Sequence, residues 1–530
     1  MSRGPPPARS SSTSRSSVQP QIGRVMTQTT TTHVNTAIIG AGFGGIGAAI
    51  RLKSANDDDF LVFERAPEVG GTWQANTYPG AQCDIPSVLY SFSFAPNPDW
   101  SRLYPLQQEL KSYMQRCVSD NGIGRHLLLG HEVTGADWDD LAQVWRIQAN
   151  RREFTSSVLI LATGPFSEPS IPDVPGLDEF DGPVFHSAQW RHDVDLRGKA
   201  VGVIGTGASA VQFIPQIQPV ASELTVFQRT PTWILPHPDR PIGPGLRRSF
   251  AAVPSLQRAA RALVSLVQEA MVPGLVYWPK LLNPMAAVGR WHLKRQVHDR
   301  VLREKLTPTY AFGCKRPTFS NRYFPALTAP NTTVETAGIR RVTADGIETA
   351  DGAHRRLDAI VFGTGFKLTQ NEGFGRIRGR DGRSLADVWA GGEMSAHLGT
   401  VVPGFPNLFM ILGPNSVVYT SQIVTIEAQL DFILDAIAQM RRRGIRSIEV
   451  TAEAMREFVR TVDHRLAGSV WNSGGCSSYY LSPSGRNFTF WPGFVFTFQR
   501  RMRHADLGEF EVRYAAAPPV SDGAELVMGR

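Results

Sequence analysis

The sequence predicts an α/β protein with two doubly wound, Rossmann-like nucleotide-binding units, the second interrupted by a helical insertion. Three observations predict it. The apolar run NTAIIG (Asn35–Gly40) feeds a glycine turn, GAGFGG at Gly40–Gly45. The same grammar returns about 165 residues later, where AVGVIG (Ala200–Gly205) feeds GTGASA at Gly205–Ala210. Between Arg247 and Leu306 apolar residues recur at helical spacing with no strand-like alternation.

Each unit continues as a βαβ fold requires. After the first turn, Ile46–Lys53 reads as a helix and FLVFE (Phe60–Glu64) as the next strand. After the second, a helix runs through Ile217 and LTVFQ (Leu224–Gln228) is the following strand. VLILATG (Val158–Gly164) and AIVFGTG (Ala359–Gly365) are apolar strands ending in Thr-Gly. Pro and Gly gather at Pro165–Pro175 and Pro231–Pro244, as linkers do. Ile423–Arg443 reads as an amphipathic helix.

Bulk composition excludes several classes. The 530 residues exceed one ordinary core. With 42% hydrophobic and 19% charged residues, the chain has the balance of a globular protein. The net charge is +8, but Arg3, Arg9, Arg15 and Arg24 lie in a tail without acids. No dense Lys/Arg run with interleaved aromatics argues for nucleic acid. No membrane span is expected: the nearest apolar run, Ala262–Trp278, is interrupted by Gln268 and Glu269. Cys83, Cys117, Cys314 and Cys476 show no C-x-x-C or metal-ligand spacing, so reduced thiols and no metal are expected, in a cytoplasmic protein. Residues 1–34 are rich in Ser, Thr, Pro and Arg and read as a disordered tail. They have transit-peptide composition too, and Met26 is an alternative start.

The two turns differ in what they bind. Gly40, Gly42 and Gly45 allow a tight turn, close approach of a pyrophosphate, and close helix–strand packing. Glu64, 19 residues after Gly45, stands where a carboxylate accepts hydrogen bonds from a ribose diol. The second unit, with Gly205, Gly207 and Ser209 at its turn, has no such acid. Its strand runs into Gln228, Arg229 and Thr230. A guanidinium there grips a 2′-phosphate that a carboxylate would repel. The first site therefore reads as FAD and the second as NADPH.

Two longer patterns carry a family resemblance. FDGPVFHSAQW places Phe180, Gly182, His186 and Trp190 in an F-x-G-x-x-x-H-x-x-x-W pattern. GGTWQANTYPGAQCD carries Gly70, Gly71, Trp73, Tyr78, Pro79, Gly80 and Asp84 at the fixed positions of a second signature. Over residues 35 to about 500 the chain resembles the Baeyer–Villiger monooxygenases, which insert one oxygen atom of O2 into a ketone through a peroxyflavin. The resemblance implies a chain that leaves the FAD domain near residue 165 and returns near 365. It gives FAD-domain parts at 35–165 and 366–530, an NADPH domain at 175–365, and an insertion at about 247–306.

It also implies roles. The loop bearing Thr72, Trp73 and Asp84 lies against the flavin, with Tyr90 nearby. GCKRP (Gly313–Pro317) supplies the active-site Arg316, with Lys315 directed to the NADPH phosphate. A fixed arginine favours an anionic oxidant and the anionic adduct formed on attack. Asp84 holds that arginine. His186, grouped with Arg316 and Asp84 as a catalytic candidate, is better suited to couple the two domains from a linker than to act as a base. The partners implied are a ketone and O2; oligomeric state is not legible. Three positions depart from the family: Arg191 after the motif Trp, the GPNSVVYTS segment at Gly413–Ser421, and Tyr479. An N- or S-oxygenating flavin monooxygenase and a non-catalytic nucleotide-binding redox sensor are the competing readings.

Overall fold

β1 (Thr32–Ile39) starts three residues before the apolar run does. Its polar beginning is held by parallel pairing of Thr32–Val34 with Phe154–Ser156. The computed structural model describes residues 31–514 together with Met1 and Gly4. The expected N-terminal tail otherwise lies outside the described residues.

α1 (Phe43–Ser54) follows the first glycine turn and β2 (Phe60–Glu64) pairs parallel with β1. The turn admits no side chain at Gly45, where a Cβ would stand 1.8 Å from the Gly40 carbonyl oxygen. α1 therefore seats directly on β1. A short α2 (Thr72–Ala75) and α3 (Gln107–Asp120) lead to β3 (Leu127–Leu129) at the sheet edge. β4 (Val133–Asp139), β5 (Val144–Ala149) and β6 (Arg152–Leu161) then form an antiparallel meander. Apolar and polar residues alternate along β5, so one face packs inward. The sheet is thus mixed, not wholly parallel. Ile377–Arg378 and Leu408–Met410 complete its eight strands after the chain has returned from the second unit.

The second sheet has five parallel strands. β7 (Val184–His186) lies at one edge and pairs with Ala359–Phe362; β8 (Ala200–Ile204), β9 (Glu223–Phe227) and Thr332–Glu335 follow. This corrects the linker assignment of FDGPVFHSAQW: Val184–His186 is short and apolar enough to add an edge strand. Gly182 is required there, because a Cβ would lie 2.5 Å from the Asp358 carbonyl oxygen. α4 (Ala208–Ile217) starts at the second turn. The insertion is helical throughout, with α5 (Pro244–Ala252), α6 (Pro254–Glu269), α7 (Asn283–Gln296) and α8 (Arg300–Lys305).

The long helix Gln422–Arg443 packs on α1. Ser421 caps it by accepting from the Ile423 N–H, and Gly444 ends it in a left-handed conformation (φ 65°). Arg441–Arg443 complement its negative end.

The expectation of reduced thiols needs correction. Cys314 and Cys476 form a disulfide, with Cα atoms 6.1 Å apart, whereas Cys83 and Cys117 are free and buried. The 162-residue separation hides a pair that only the fold brings together. The stretch Pro254–Tyr277 is, by length and composition, apolar enough to cross a membrane. Its polar side chains nevertheless bond the protein body: Glu269 accepts from the Val495 N–H at 2.5 Å.

Candidate active site

Two cavities share a wall. The first, about 560 Å3, is lined by Gly40, Gly42, Glu64, Thr72, Trp73 and Tyr90 among others. The second, about 350 Å3, shares Thr72, Trp73 and Tyr90 and adds Asp84, Arg316 and Tyr479. The first runs from the glycine turn of β1 to the loop that opens the second.

The first cavity fits a dinucleotide. Its floor is bare backbone: a Cβ on Gly71 would lie 2.9 Å from Gly42 Cα. α1 presents its N-terminus over that floor, where it favours phosphate oxygens. Glu64 lies at the cavity wall, oriented by two backbone donors. Its Oε2 accepts from Ala41 at 2.7 Å and its Oε1 from Ala66 at 2.8 Å. Trp73 Nε1 donates to Tyr90 Oη at 3.2 Å, which fixes both aromatic walls. Burial pushes the Tyr90 phenol well up, so it stays protonated.

At the second turn the Thr206 hydroxyl donates to the Thr230 carbonyl at 3.0 Å, holding the Arg229–Thr230 segment against Gly205 and Gly207. Arg229 is exposed and Lys315 half-buried. Burial lowers the Lys315 pKa, and the nearby Arg229 charge lowers it further. Neither cation has a carboxylate partner among the described residues. Two converging, unneutralised cations suit an anion such as a 2′-phosphate. Ser209, half-buried at the start of α4, is close to the Tyr78 hydroxyl.

Arg316 and Asp84 stand 232 residues apart in sequence and meet here, with Arg316 Nε donating to Asp84 Oδ2 at 2.7 Å. Their side chains keep 35% and 34% of their surface, turned to the second cavity. Burial opposes the charged guanidinium, but the Asp84 carboxylate outweighs it and raises the Arg316 pKa above its ordinary value. The group is a permanent cation. Tyr419 lies beside it, ring centroid 5.7 Å from Cζ, and the Tyr480 hydroxyl accepts from the Arg316 N–H at 3.3 Å.

His186 stands apart from this pair. It is buried, and neither cavity wall includes it. Its Nδ1 accepts from the Ala188 N–H at 3.1 Å, which leaves the proton on Nε2. That Nε2 has no hydrogen-bond partner among the described residues. Burial lowers its pKa to about 4, against a weaker opposing pull from the Gly365 backbone. A neutral, enclosed imidazole does not serve as a base for a substrate in the second cavity. It packs edge-on to Phe366, where the chain leaves the second sheet. Trp190 packs edge-on to Phe185 and at a tilt against Phe213. Arg191 faces solvent and binds its neighbour Asp193 at 2.8 Å, so this departure lies away from both cavities.

Sequence reasoning missed Gln212. From α4 it accepts from the Tyr78 hydroxyl at 2.9 Å and donates to the Gln82 carbonyl at 2.8 Å. One side chain thereby ties the second unit to the Gly70–Asp84 loop. It reads only as a polar helix residue. Tyr419 and Tyr480 were signalled indirectly, inside or beside segments that depart from the family pattern.

A family model described as pyridine nucleotide-disulphide oxidoreductase matches residues 37–263. A Baeyer-Villiger monooxygenase of Pseudomonas aeruginosa is 43% identical over 495 residues, covering 93% of this chain and 94% of the relative. Another, from Streptomyces coelicolor, is 43% identical over 500 residues, covering 94% and 96%. The crystal structure of cyclohexanone monooxygenase from Rhodococcus sp. Phi1 bound to NADP+ superposes with a TM-score of 0.82 at 29% identity. It covers 92% of this chain and 100% of that one.

Proposed function

The chain belongs to the Baeyer–Villiger monooxygenases, and on that premise we propose that Arg316, held by Asp84, is the residue that drives its oxygen insertion. The protein is an FAD- and NADPH-dependent monooxygenase that uses O2 to convert ketones to esters or lactones. FAD, when bound, would carry the electrons that NADPH supplies and provide the site at which O2 is activated. The first cavity, with its Gly42–Gly71 floor, Glu64, Thr72 and Trp73, would hold it. Arg229, Thr230, Ser209 and Lys315 would hold the NADPH phosphates.

The chain's own part in the chemistry is electrostatic. Ketone oxygen insertion passes through an anionic adduct. A cation fixed at the wall of a half-enclosed cavity stabilises that charge without having to reorganise. Asp84 supports this reading because it anchors the guanidinium through Nε, leaving the terminal nitrogens without a carboxylate partner among the described residues. Tyr419 packs against it, and the Tyr480 hydroxyl holds the Arg316 backbone N–H. His186 acts as a positioning residue between the two units. The competing N- or S-oxygenating reading has no need of this fixed cation. The need for a steady supply of NADPH supports a cytoplasmic location.

The test is NADPH and O2 consumption by the FAD-loaded protein with and without cyclic, linear and aryl ketones. Ketone-stimulated consumption with ester or lactone product is expected. Sulfoxide formation with no ester from any ketone would replace this reading by the S-oxygenating one.

A further inference from the structure

Helix α6 is laid on the protein inside out. Three of its polar side chains face the body. Gln257 is buried and donates to the Asn97 carbonyl at 2.6 Å. Arg261 donates to the carbonyls of Val88, Leu89 and Ser91 and pairs with Glu427 at 3.2 Å. Glu269 takes the Val495 N–H. Val264 packs against the core, but the other large apolar side chains face out: Leu256, Leu263, Leu266 and Val267, with Ala259 and Ala262, recur at spacings of three and four and form one stripe. Leu263, Leu266 and Val267 are 61%, 67% and 63% exposed. A surface helix in water buries that stripe. Here three inward polar anchors prevent the helix from rolling over.

The rest of the insertion has the same character. Of 21 large apolar side chains exposed among the described residues, 11 lie between Leu246 and Trp291. They include Tyr277, Trp278 and Trp291, amphipathic rings of the kind that settle at a lipid headgroup boundary. The charge is one-sided. Arg248, Arg258, Lys280, Arg290, Lys294 and Arg295 are exposed, and none forms an ion pair among the described residues. The only acid between residues 244 and 297 is Glu269, which is turned inward.

We propose that the face built by α6 and the flanking insertion residues is a docking surface for an anionic lipid bilayer. α6 would lie in the plane of the headgroup boundary with Leu263, Leu266 and Val267 immersed. Arg258, on α6 itself, would meet lipid phosphates, and the other unpaired cations of the insertion would add a long-range attraction to the anionic surface. Its inward anchors forbid a transmembrane placement, since crossing would pull Arg261 away from its four partners. A second copy of the chain is the poorer occupant. A symmetric pair would set the same unneutralised cations against one another. The proposal stands on this face alone and does not depend on the oxygenase chemistry.

The test is flotation of the full-length, FAD-loaded protein with vesicles of phosphatidylcholine, with and without an equal share of phosphatidylglycerol. Binding to the anionic vesicles alone is expected, falling at least about tenfold as salt rises from roughly 0.1 to 1 M. Leu263→Glu with Leu266→Glu should abolish it, since each immersed leucine is worth about tenfold or more. Both side chains point outward, so the double variant should keep its FAD and its NADPH oxidation rate. Wild-type protein that stays at the bottom of the gradient overturns the proposal. So does equal binding to pure phosphatidylcholine, or a double variant that floats as wild type does. A dimer on sizing that the double variant splits would assign the face to a second copy instead.

Discussion

Replacing Arg316 by methionine keeps much of the apolar stem of the side chain and removes its charge. A developing anion about 5 Å from a fixed cation, at an effective dielectric of about 20, gains roughly 3 kcal/mol. Removal of one such stabiliser from an acyl-transfer site costs a similar amount, about 3 to 4 kcal/mol, or 10²- to 10³-fold in rate. Arg316→Met should therefore lower ester formation by roughly 10²- to 10³-fold. The loss should fall at the upper end, because the Asp84 carboxylate, 2.7 Å from Nε in the native pair, is left unopposed at the cavity wall. Arg316→Lys keeps a charge but loses the planar fork, and a loss of about tenfold is expected. The assay has two arms: ester formed per NADPH by gas chromatography, and the rate of flavin reduction by NADPH in single turnover. Only the first should fall steeply. Coupled ester formation by Arg316→Met within about threefold of wild type would refute the reasoning. A lysine variant no better than methionine would show that charge is not the operative property.

His186 gives a pH prediction. Its folded pKa, about 4, lies below the unfolded value of 6.5, so the unfolded chain binds the proton more readily. The stability held by the neutral ring is complete above pH 6.5 and is lost as pH falls toward 4, roughly 3 kcal/mol in all. His186→Leu should flatten the decline of the FAD-release temperature between pH 6.5 and 4.5; parallel curves for variant and wild type would sink the idea. For the nucleotide, Arg229→Glu with Lys315→Ala should raise the KM for NADPH by about 100-fold or more, at one to two tenfold steps per lost charged contact, and leave NADH nearly unchanged. Equal loss for both nucleotides would place these cations elsewhere. Gly71→Ala should yield protein lacking FAD, because its Cβ would stand 2.9 Å from Gly42 Cα at a φ of 52°; normal flavin content by absorbance contradicts that floor.

Legibility in the sequence followed the range of the interactions. The glycine turns, their strands and the helix ending at Gly444 rest on local periodicity and capping, and they could be read directly. The β4–β6 meander was missed because its alternating pattern was overshadowed by a parallel-sheet grammar on either side. Asp84 and Arg316 could be named only because each sits in a longer signature; nothing local says that they meet. Gln212 has no signature, and its value comes wholly from what α4 lands on. The Cys314–Cys476 bond was invisible for the same reason.

The contact between Gly42 and Gly71 divides the molecule by how freely it can change. A carbon added to Gly71 would stand 2.9 Å from Gly42 Cα at a φ of 52°, whereas one added to Gly42 would keep 3.6 Å from Gly71 Cα. Gly71 is therefore the position that cannot drift. The wall around Tyr419 and Tyr479 is made of side chains on loops, where substitution alters shape without closing the nucleotide cradle. Evolution, or a laboratory library, can therefore search new ketones along residues 413–421 and 476–490 while the flavin seat stays fixed.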